Sequence, residues 1–556
     1  MSAPSALSAL SALFTPSTPS APSTPGRAVS RRLRSRIHRA LLAAAVVAGT
    51  GLGGVLGAPA PAIAAATFPN VVVPAPASEV ADGTTFTLPS SATITSADAN
   101  VGGYLAGILR TSTGYALPLT VGASTPGTIA LALTGAPSTV GAEGYQLVSS
   151  PSGVVIEANQ PAGLFHGVQT LLQLMPPAVM GSTAGAGPWT VPGGTITDWP
   201  RFGYRGAMLD VARHFFTVAQ VEHYVDEMAL YKVNYLHLHL SDDQGWRIAI
   251  NSWPNLATYG GSTEVGGGAG GYYTQADYQA IIAYAASRYI TVVPEIDMPG
   301  HTNAALASYA SLNCNGVAPS LYTGTNVGFS SLCVPLALTY TFIDQVVGEL
   351  AALTPGPYIH IGGDEASSTS ASDYLTFINK VQPIVAAHGK AVMGWHNIAA
   401  APLASSTLAQ FWDTTTTNSA LASAAASGTK VVMSPANHAY LDMKYNRKTK
   451  LGQHWAGYVD VNTAYGWDPG NYLTGVTGSS VAGVEAPLWT ETIVTSADID
   501  QMAFPRLPAL MELGWSPYST HDTTSFDQRL GAQGPRWHAM GVNYYKSTQI
   551  TWPVGS

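Results

Sequence analysis

From residue 204 onward the sequence repeats one pattern eight times: a short apolar run rich in β-formers, then polar or aromatic residues, then a helical stretch. The runs are approximately Tyr204 to Asp210, Val233 to Leu240, Ile290 to Ile296, Tyr358 to Ile361, Ala391 to Trp395, Leu408 to Trp412, Val431 to Ser434 and Gly483 to Leu488. Strands alternating with helices build parallel βαβ units. Eight such units over roughly 350 residues predict an α/β chain with a (β/α)8 TIM barrel carrying insertions. Two of the intervening helices announce themselves. Thr217 and Gln220 form a Thr-x-x-Gln capping box ahead of Val221 to Leu230, and near Thr274 the apolar positions Tyr278, Ile281, Ile282 and Ala285 fall at helical spacing.

The chemistry-bearing residues gather at one end of these runs. Reading each to its C-terminal end gives Asp210 and Arg213; Asp242 and Asp243; Asp297 and His301; Asp364 and Glu365; Trp395; Trp412; Tyr440 and Asp442; Trp489 and Glu491. In a TIM barrel that end forms a single rim, so side chains distant in sequence converge on one pocket.

Ahead of the barrel, residues 67–198 show short β-like runs punctuated by Gly, Pro and Ser, with one helical pattern from Gly163 to Met175. This predicts a small accessory α/β domain, bounded by Asp198-Trp199-Pro200. The barrel domain is expected over 199–545, with a C-terminal tail at 546–556. Residues 1–66 read as an export segment: an arginine cluster, an apolar run from Leu41 to Val47, then small residues through Ala64-Ala65-Ala66. The expectation is a secreted, extracellular protein with a cleavable signal peptide and no stable membrane association after cleavage. In that setting the two cysteines, Cys314 and Cys333, are expected to form a disulfide. Closing a loop of about 20 residues contributes roughly 3 kcal/mol through the unfolded state.

Charge narrows the partners. The whole chain carries −8, yet 1–66 holds Arg27, Arg31, Arg32, Arg34, Arg36 and Arg39 and no acid, so the remainder is six charges more acidic. Nucleic-acid affinity rests on clustered Lys and Arg, and a nucleic-acid partner is excluded on that ground.

The sharpest motif is His360-Ile-Gly-Gly-Asp-Glu365. Two glycines let the backbone turn at the strand end, presenting Asp364 and Glu365 side by side. A glycosidase that works with two independent carboxylates needs them about 5 to 9.5 Å apart on opposite sides of the bond. Adjacent residues suit a different division of labour, in which Glu365 is the general acid/base and Asp364 holds a nucleophile that the substrate itself supplies. A 2-acetamido group is such a nucleophile, because its carbonyl oxygen closes on C1 to give a five-membered oxazolinium ring. Trp395, Trp412 and Trp489 offer indole faces for the C–H faces of a sugar, while Asp442, Glu491 and Arg213 offer partners for its hydroxyls.

A rival reading starts from Leu236-His-Leu-His-Leu240, where two histidines share one strand face, as in metal-dependent amidohydrolase barrels. Asp297, His301 and Asp364 would complete such a site. The plainer alternative places both histidines in the packed barrel interior, hydrogen-bonded to carboxylates. A catalytically inactive glycan-binding protein is the second rival.

The chain resembles glycoside hydrolase family 20, the β-N-acetylhexosaminidases. The resemblance rests on Arg205 to Phe216, His237 to Arg247, Pro294 to His301, His360 to Glu365, Met393 to His396 and Trp489 to Glu491, with Glu143 to Leu147 and Gly163 to Leu174 similar to the family's accessory domain. It implies exo-hydrolysis of terminal β-linked GlcNAc or GalNAc from glycans or chitooligosaccharides, with retention and with no cofactor or metal. It further implies Glu365 as acid/base, Asp364 as the acetamido-orienting residue and Tyr440 as the donor to the acetamido carbonyl. Arg213, Asp442 and Glu491 would grip the sugar hydroxyls, between walls formed by Trp395, Trp412 and Trp489. Asp242, Asp297 and His301 would support the catalytic pair.

Overall fold

The computed structural model describes residues 66–122 and 127–554; apart from Ala66, the segment read as an export signal lies outside the described residues. Seven strands, Ser78–Thr87, Ile94–Ser96, Leu119–Val121, Ile129–Ala132, Tyr145–Ser150, Gly153–Ala158 and Thr190–Asp198, form one mixed sheet, covered by helices Ala99–Thr113 and Pro161–Leu174. The second helix is buried at every position from Gly163 to Leu174. Its two sides meet different partners, which is why it carries no polar stripe. One side lies on the sheet, close enough that a Cβ on Gly163 would stand 2.2 Å from the Gly144 carbonyl oxygen. The other side meets the second half of the chain through Phe165 on Tyr289 and His166 on Trp515, with ring centroids 5.4 and 4.9 Å apart.

The joint between the two halves is buried and ionic. Asp198, the last residue of the sheet, accepts from Lys232 Nζ at 3.0 Å, Tyr145 Oη at 2.8 Å and Trp515 Nε1 at 2.9 Å. Arg205 pairs with Glu143 across the same joint. Buried ion pairs are tolerated only when their remaining hydrogen-bonding capacity is met, and here several partners from both halves meet it. The Asp-Trp-Pro boundary is therefore a fixed junction rather than a loose linker.

Beyond it eight parallel strands close into a barrel: Tyr204–Asp210, Tyr235–His239, Thr291–Glu295, Tyr358–His360, Ala391–Trp395, Leu408–Phe411, Lys430–Met433 and Val481–Leu488. Each coincides with an expected run, to within two residues at either end. Closure is made by the last strand against the first, in register from Gly483 beside Tyr204 to Leu488 beside Leu209. The helices expected from their caps are present at Val218–Ala229 and Gln275–Ala286, both with the reciprocal capping box. Within the stretch expected as a tail, Ser547, Ile550 and Trp552 pack down: Ser547 Oγ donates to Asp460 at 2.7 Å and the Trp552 ring lies 5.0 Å from Tyr544. Cys314 and Cys333 form a disulfide. Among the described residues no helix is long and apolar enough to cross a membrane.

The barrel interior is layered. Tyr204, Val293, Met393, Leu408 and Val432 pack together as an apolar cluster. Further along the strands lies a polar layer built around Glu295 and Glu485, both fully buried. His237 bridges them at 2.9 and 3.0 Å, His239 lies 2.5 Å from Glu295 and His360 lies 2.9 Å from it. Burial alone would raise the Glu295 carboxyl, but the imidazoles of His360, His239 and His237 outweigh it and hold it well below the usual range. The histidines of the second strand thus spend three ring nitrogens on Glu295 and Glu485, and the fourth, His239 Nε2, on Asp242 at 2.7 Å. This is the packed-interior alternative, and it leaves neither histidine at the rim where the amidohydrolase reading needs them.

Candidate active site

At the C-terminal rim a cavity of about 400 Å³ opens, lined by Asp364, Glu365, Tyr440, Trp412, Trp489 and Arg213 together with His301, Asp442 and Glu491. Six of the eight βα segments contribute to it, so the convergence expected from the strand-end pattern is present in space. The cavity also takes Gln453 and Trp455 from the long segment after the seventh strand, and Thr325 and Val327 from the loop tied by Cys314 and Cys333. Sequence reasoning passed over these four. Only an exposed tryptophan in a glycine-flanked loop, Gly452 to Gly457, could have hinted at Trp455.

The glycines before the acidic pair do what their pattern suggested. Gly362 and Gly363 stand at φ +65° and +100°. A Cβ on Gly362 would fall 1.7 Å from Asp297 Oδ1, so the position excludes a side chain on two grounds. The turn leaves Glu365 itself at φ +42°, and His301, which faces it, at +54°. Left-handed backbone at non-glycine residues is costly and persists only where the surroundings enforce it.

Behind the pair runs a chain of charge. Arg213 reaches Asp242 Oδ2 at 2.8 Å and Asp210 Oδ2 at 3.3 Å; Asp242 Oδ1 lies 3.1 Å from His301 Nδ1. His301 Nε2 then stands 3.8 Å from Asp364 and 3.3 Å from Glu365. Burial opposes a charged His301, but Asp242, Asp297 and Asp364 together lift it well above its ordinary value, which favours the imidazolium. Asp242 is held well below the carboxylate range, its burial outweighed by Arg213 and His301. Asp364 goes the other way. Burial raises it to about 6, and the neighbouring Glu365 and Glu295 add to the rise while His301 tempers it. Asp297 is pushed well above the usual range by burial and by Asp364, and its Oδ1 accepts from the Gly363 amide at 3.1 Å.

Around the cavity the aromatic residues differ in placement. Trp489 lies under the Arg213 guanidinium, 4.8 Å away, and Trp412 donates to Asn397 Oδ1 at 2.9 Å. Trp455 is half-exposed and meets Trp412 and Tyr440 nearly edge-on, with centroids 6.2 and 6.0 Å apart. Trp395, expected as a third wall, is fully buried and does not line the cavity. Its indole N–H donates to Glu295 Oε1 at 2.9 Å and its ring lies 5.7 Å from Trp489, so it backs that wall from the polar layer. Asp242 and Asp297 likewise stand behind the cavity. Asp243 is committed elsewhere, accepting from Ser330 Oγ at 2.6 Å and the Asn303 amide at 2.9 Å.

Several buried polar atoms of the lining have no hydrogen-bond partner: Asp364 Oδ1, His301 Nε2, Asp442 Oδ1, Glu491 Oε2 and Arg213 Nε. Buried polar atoms are usually satisfied, and five that face one cavity suit a polar ligand there. Asp442 and Glu491 are raised in keeping with this, Asp442 by burial and then by Glu491, and Glu491 by burial against the pull of Arg213. The Tyr440 hydroxyl is kept protonated, first by burial and then by Asp364 and Asp442, which preserves it as a donor.

Comparison with known proteins agrees with this geometry. A model described as "Glycosyl hydrolase family 20, catalytic domain" matches residues 202–518, and "Glycosyl hydrolase family 20, domain 2" matches 70–199. The chain is 42% identical over 400 residues to a beta-N-acetylhexosaminidase of Cellulomonas fimi, spanning 72% of this chain and 79% of that one. Among solved structures, the N-acetyl-beta-hexosaminidase of Streptomyces plicatus in complex with Thio-NAglucal superposes with a TM-score of 0.85 at 57% identity, over 87% of this chain and 97% of that one. The GH20 beta-N-acetylhexosaminidase of Streptomyces coelicolor A3(2) gives 0.85 at 56% identity, over 87% and 99%. With both family domains matched in order, and with the carboxylate pair at the rim of the barrel, the chain belongs to glycosyl hydrolase family 20.

Proposed function

We propose that the protein is an exo-acting β-N-acetylhexosaminidase that removes terminal, non-reducing β-linked GlcNAc or GalNAc with retention of configuration. The observation that carries this reading is the presence of Asp364 and Glu365, neighbours in the chain, in one tryptophan-walled cavity with a tyrosine donor. Related structures support the substrate class: a mutant of the Streptomyces plicatus beta-hexosaminidase has been solved in complex with product GlcNAc.

In the first step the acetamido oxygen of the substrate attacks C1, and the bond from C1 to the leaving oxygen breaks. Glu365 gives its proton to that oxygen, a contribution of about 10²- to 10⁴-fold. The intramolecular nucleophile draws on effective molarities of about 10⁵ to 10⁸ M when aligned. Asp364 accepts from the amide N–H, and its charge balances the positive charge growing on the oxazolinium ring. Tyr440 donates to the acetamido oxygen. In the second step Glu365 takes a proton from water as its oxygen adds to C1 on the face the leaving group vacated, and the ring opens to the free sugar. Arg213, Asp442 and Glu491 hold the hydroxyls of the terminal sugar, which pair with their buried polar atoms; Trp412 and Trp489 form the walls and Trp395 backs them.

Export from the cell is part of the proposal, supported by the arginine-led apolar run in 1–66 and by the disulfide. The domain division 67–198 and 199–545 is supported by the junction at Asp198. The test is a rate comparison on chromogenic β-glycosides of GlcNAc, GalNAc and glucose, with NMR detection of the first-formed anomer. Rapid turnover of the N-acetylated pair to the β-anomer is expected. Efficient cleavage of the plain glucoside, or release of the α-anomer, overturns the mechanism; no turnover of any of them favours a binding-only protein.

A further inference from the structure

On the outside of the barrel, away from the cavity, His223, Glu227 and Asp500 bring one ligand atom each to within 4.8 Å of one another. His223 and Glu227 lie one turn apart on helix Val218–Ala229, which follows the first barrel strand, and Asp500 lies on helix Ser496–Ala503, which follows the last. His223 Nε2 is 3.2 Å from Glu227 Oε1 and 3.5 Å from Asp500 Oδ1. Glu227 is only 2% exposed, yet neither of its carboxylate oxygens has a hydrogen-bond partner, and Asp500 Oδ1 has none either.

An ion pair alone accounts poorly for this. A buried carboxyl whose only close partner is one imidazole at 3.2 Å, out of hydrogen-bond geometry, recovers little of its lost hydration. Elsewhere in the barrel, where histidines meet carboxylates in hydrogen bonds, the separations are 2.5 to 3.1 Å, against 3.2 and 3.5 Å here. The wider spacing here has a natural explanation. Zinc bonds of about 2.0 to 2.2 Å to imidazole nitrogen and carboxylate oxygen, spread at the tetrahedral angle, set neighbouring ligand atoms about 3.3 to 3.6 Å apart. The second oxygen of Asp500 is already fixed by the Asn543 amide at 3.0 Å, which orients the first as an outer partner does for a metal ligand. His223 is 43% exposed at its side chain, so an ion has an entry path and water can take the fourth position.

From this geometry we infer that His223, Glu227 and Asp500 form a structural site for a divalent transition-metal ion of the zinc class. The ion would join the helices that follow the first and last barrel strands, beside the seam where Gly483 to Leu488 pairs with Tyr204 to Leu209. Its effect is on stability, because an ion that binds only the folded chain shifts the unfolding equilibrium toward it. It takes no part in glycoside cleavage.

The experiment uses the full folded enzyme, stripped with EDTA and dialysed, then titrated with Zn²⁺ by calorimetry alongside His223→Gln and Asp500→Asn. The expected result is one equivalent bound, lost in His223→Gln and weakened at least tenfold in Asp500→Asn. Zn²⁺ should raise Tm by a few degrees in the parent alone, with hydrolysis of a chromogenic N-acetylglucosaminide unchanged by EDTA or Zn²⁺. Should either variant fail to fold, Co²⁺ bound to the parent gives an independent reading: intense visible bands report the tetrahedral N/O set. Absence of stoichiometric uptake by the parent, equal uptake by His223→Gln, or only the weak bands of octahedral Co²⁺ overturns the inference and leaves an ion pair.

Discussion

His301 Nε2 stands 3.3 Å from Glu365 Oε2, although the two residues leave different barrel strands and each needs left-handed backbone to reach the other. The same nitrogen lies 3.8 Å from Asp364, so one imidazolium serves both acids. Because His301 lowers the Asp364 carboxyl against the rise caused by burial, replacing it should let Asp364 climb above about 6. In His301→Asn the acidic limb of the kcat profile is expected to move to higher pH, with kcat reduced more than KM is raised. A pH–rate profile that keeps its acidic limb in place would assign His301 a purely structural part.

Glu365→Gln removes the proton donor while keeping shape. The expected loss is about 10²- to 10⁴-fold in kcat, with KM little changed. Steady-state rates on aryl N-acetylglucosaminides of graded leaving-group acidity check this: the loss should shrink as the leaving group needs less protonation.

Asp364 illustrates a site that works against the fold. Its pKa, raised to about 6 in the folded state, exceeds the ordinary 3.8, so the folded protein binds this proton more tightly than the unfolded chain does. Its contribution to stability is therefore greatest below the ordinary value and is lost as pH rises through about 6. Asp364→Asn should be more stable than the parent at pH 7, by on the order of 3 kcal/mol. The difference should close near pH 4 while activity falls at least a hundredfold. Thermal melts at the two pH values decide it; a variant less stable at pH 7 contradicts the sign.

The disulfide ties down the loop that brings Thr325 and Val327 to the cavity. Replacing Cys314 and Cys333 together by serine should destabilise the fold by about 3 kcal/mol. It should also raise KM more than it lowers kcat, since the loop lines the cavity mouth at Thr325 and Val327 and meets the acid pair only at the Glu365 backbone, beside Gly328. Denaturant melts and steady-state kinetics measure the two effects separately.

Much of this was legible in the chain because it is encoded locally. Apolar runs of strand length marked all eight barrel strands, capping residues such as Thr217 and Thr274 marked helix starts, and the rim residues came from reading each run to its end. Gly362 and Gly363 signalled a turn that only residues without a Cβ can make, so Asp364 and Glu365 were found together. The sequence by itself thus determined which elements form and what chemistry each strand end presents. The depth at which a side chain comes to rest was decided only in three dimensions. Trp395 and Trp489 both close apolar runs, yet the Glu295 carboxylate captures the Trp395 indole one layer down, while Trp489 faces the cavity beneath Arg213. Glu295 and Glu485, charged residues inside strands, make sense only as hubs for histidines from neighbouring strands. Trp455 reaches the site from a long loop whose path follows from what it packs against, because contacts between residues far apart in the chain leave no periodic trace in the sequence around either one.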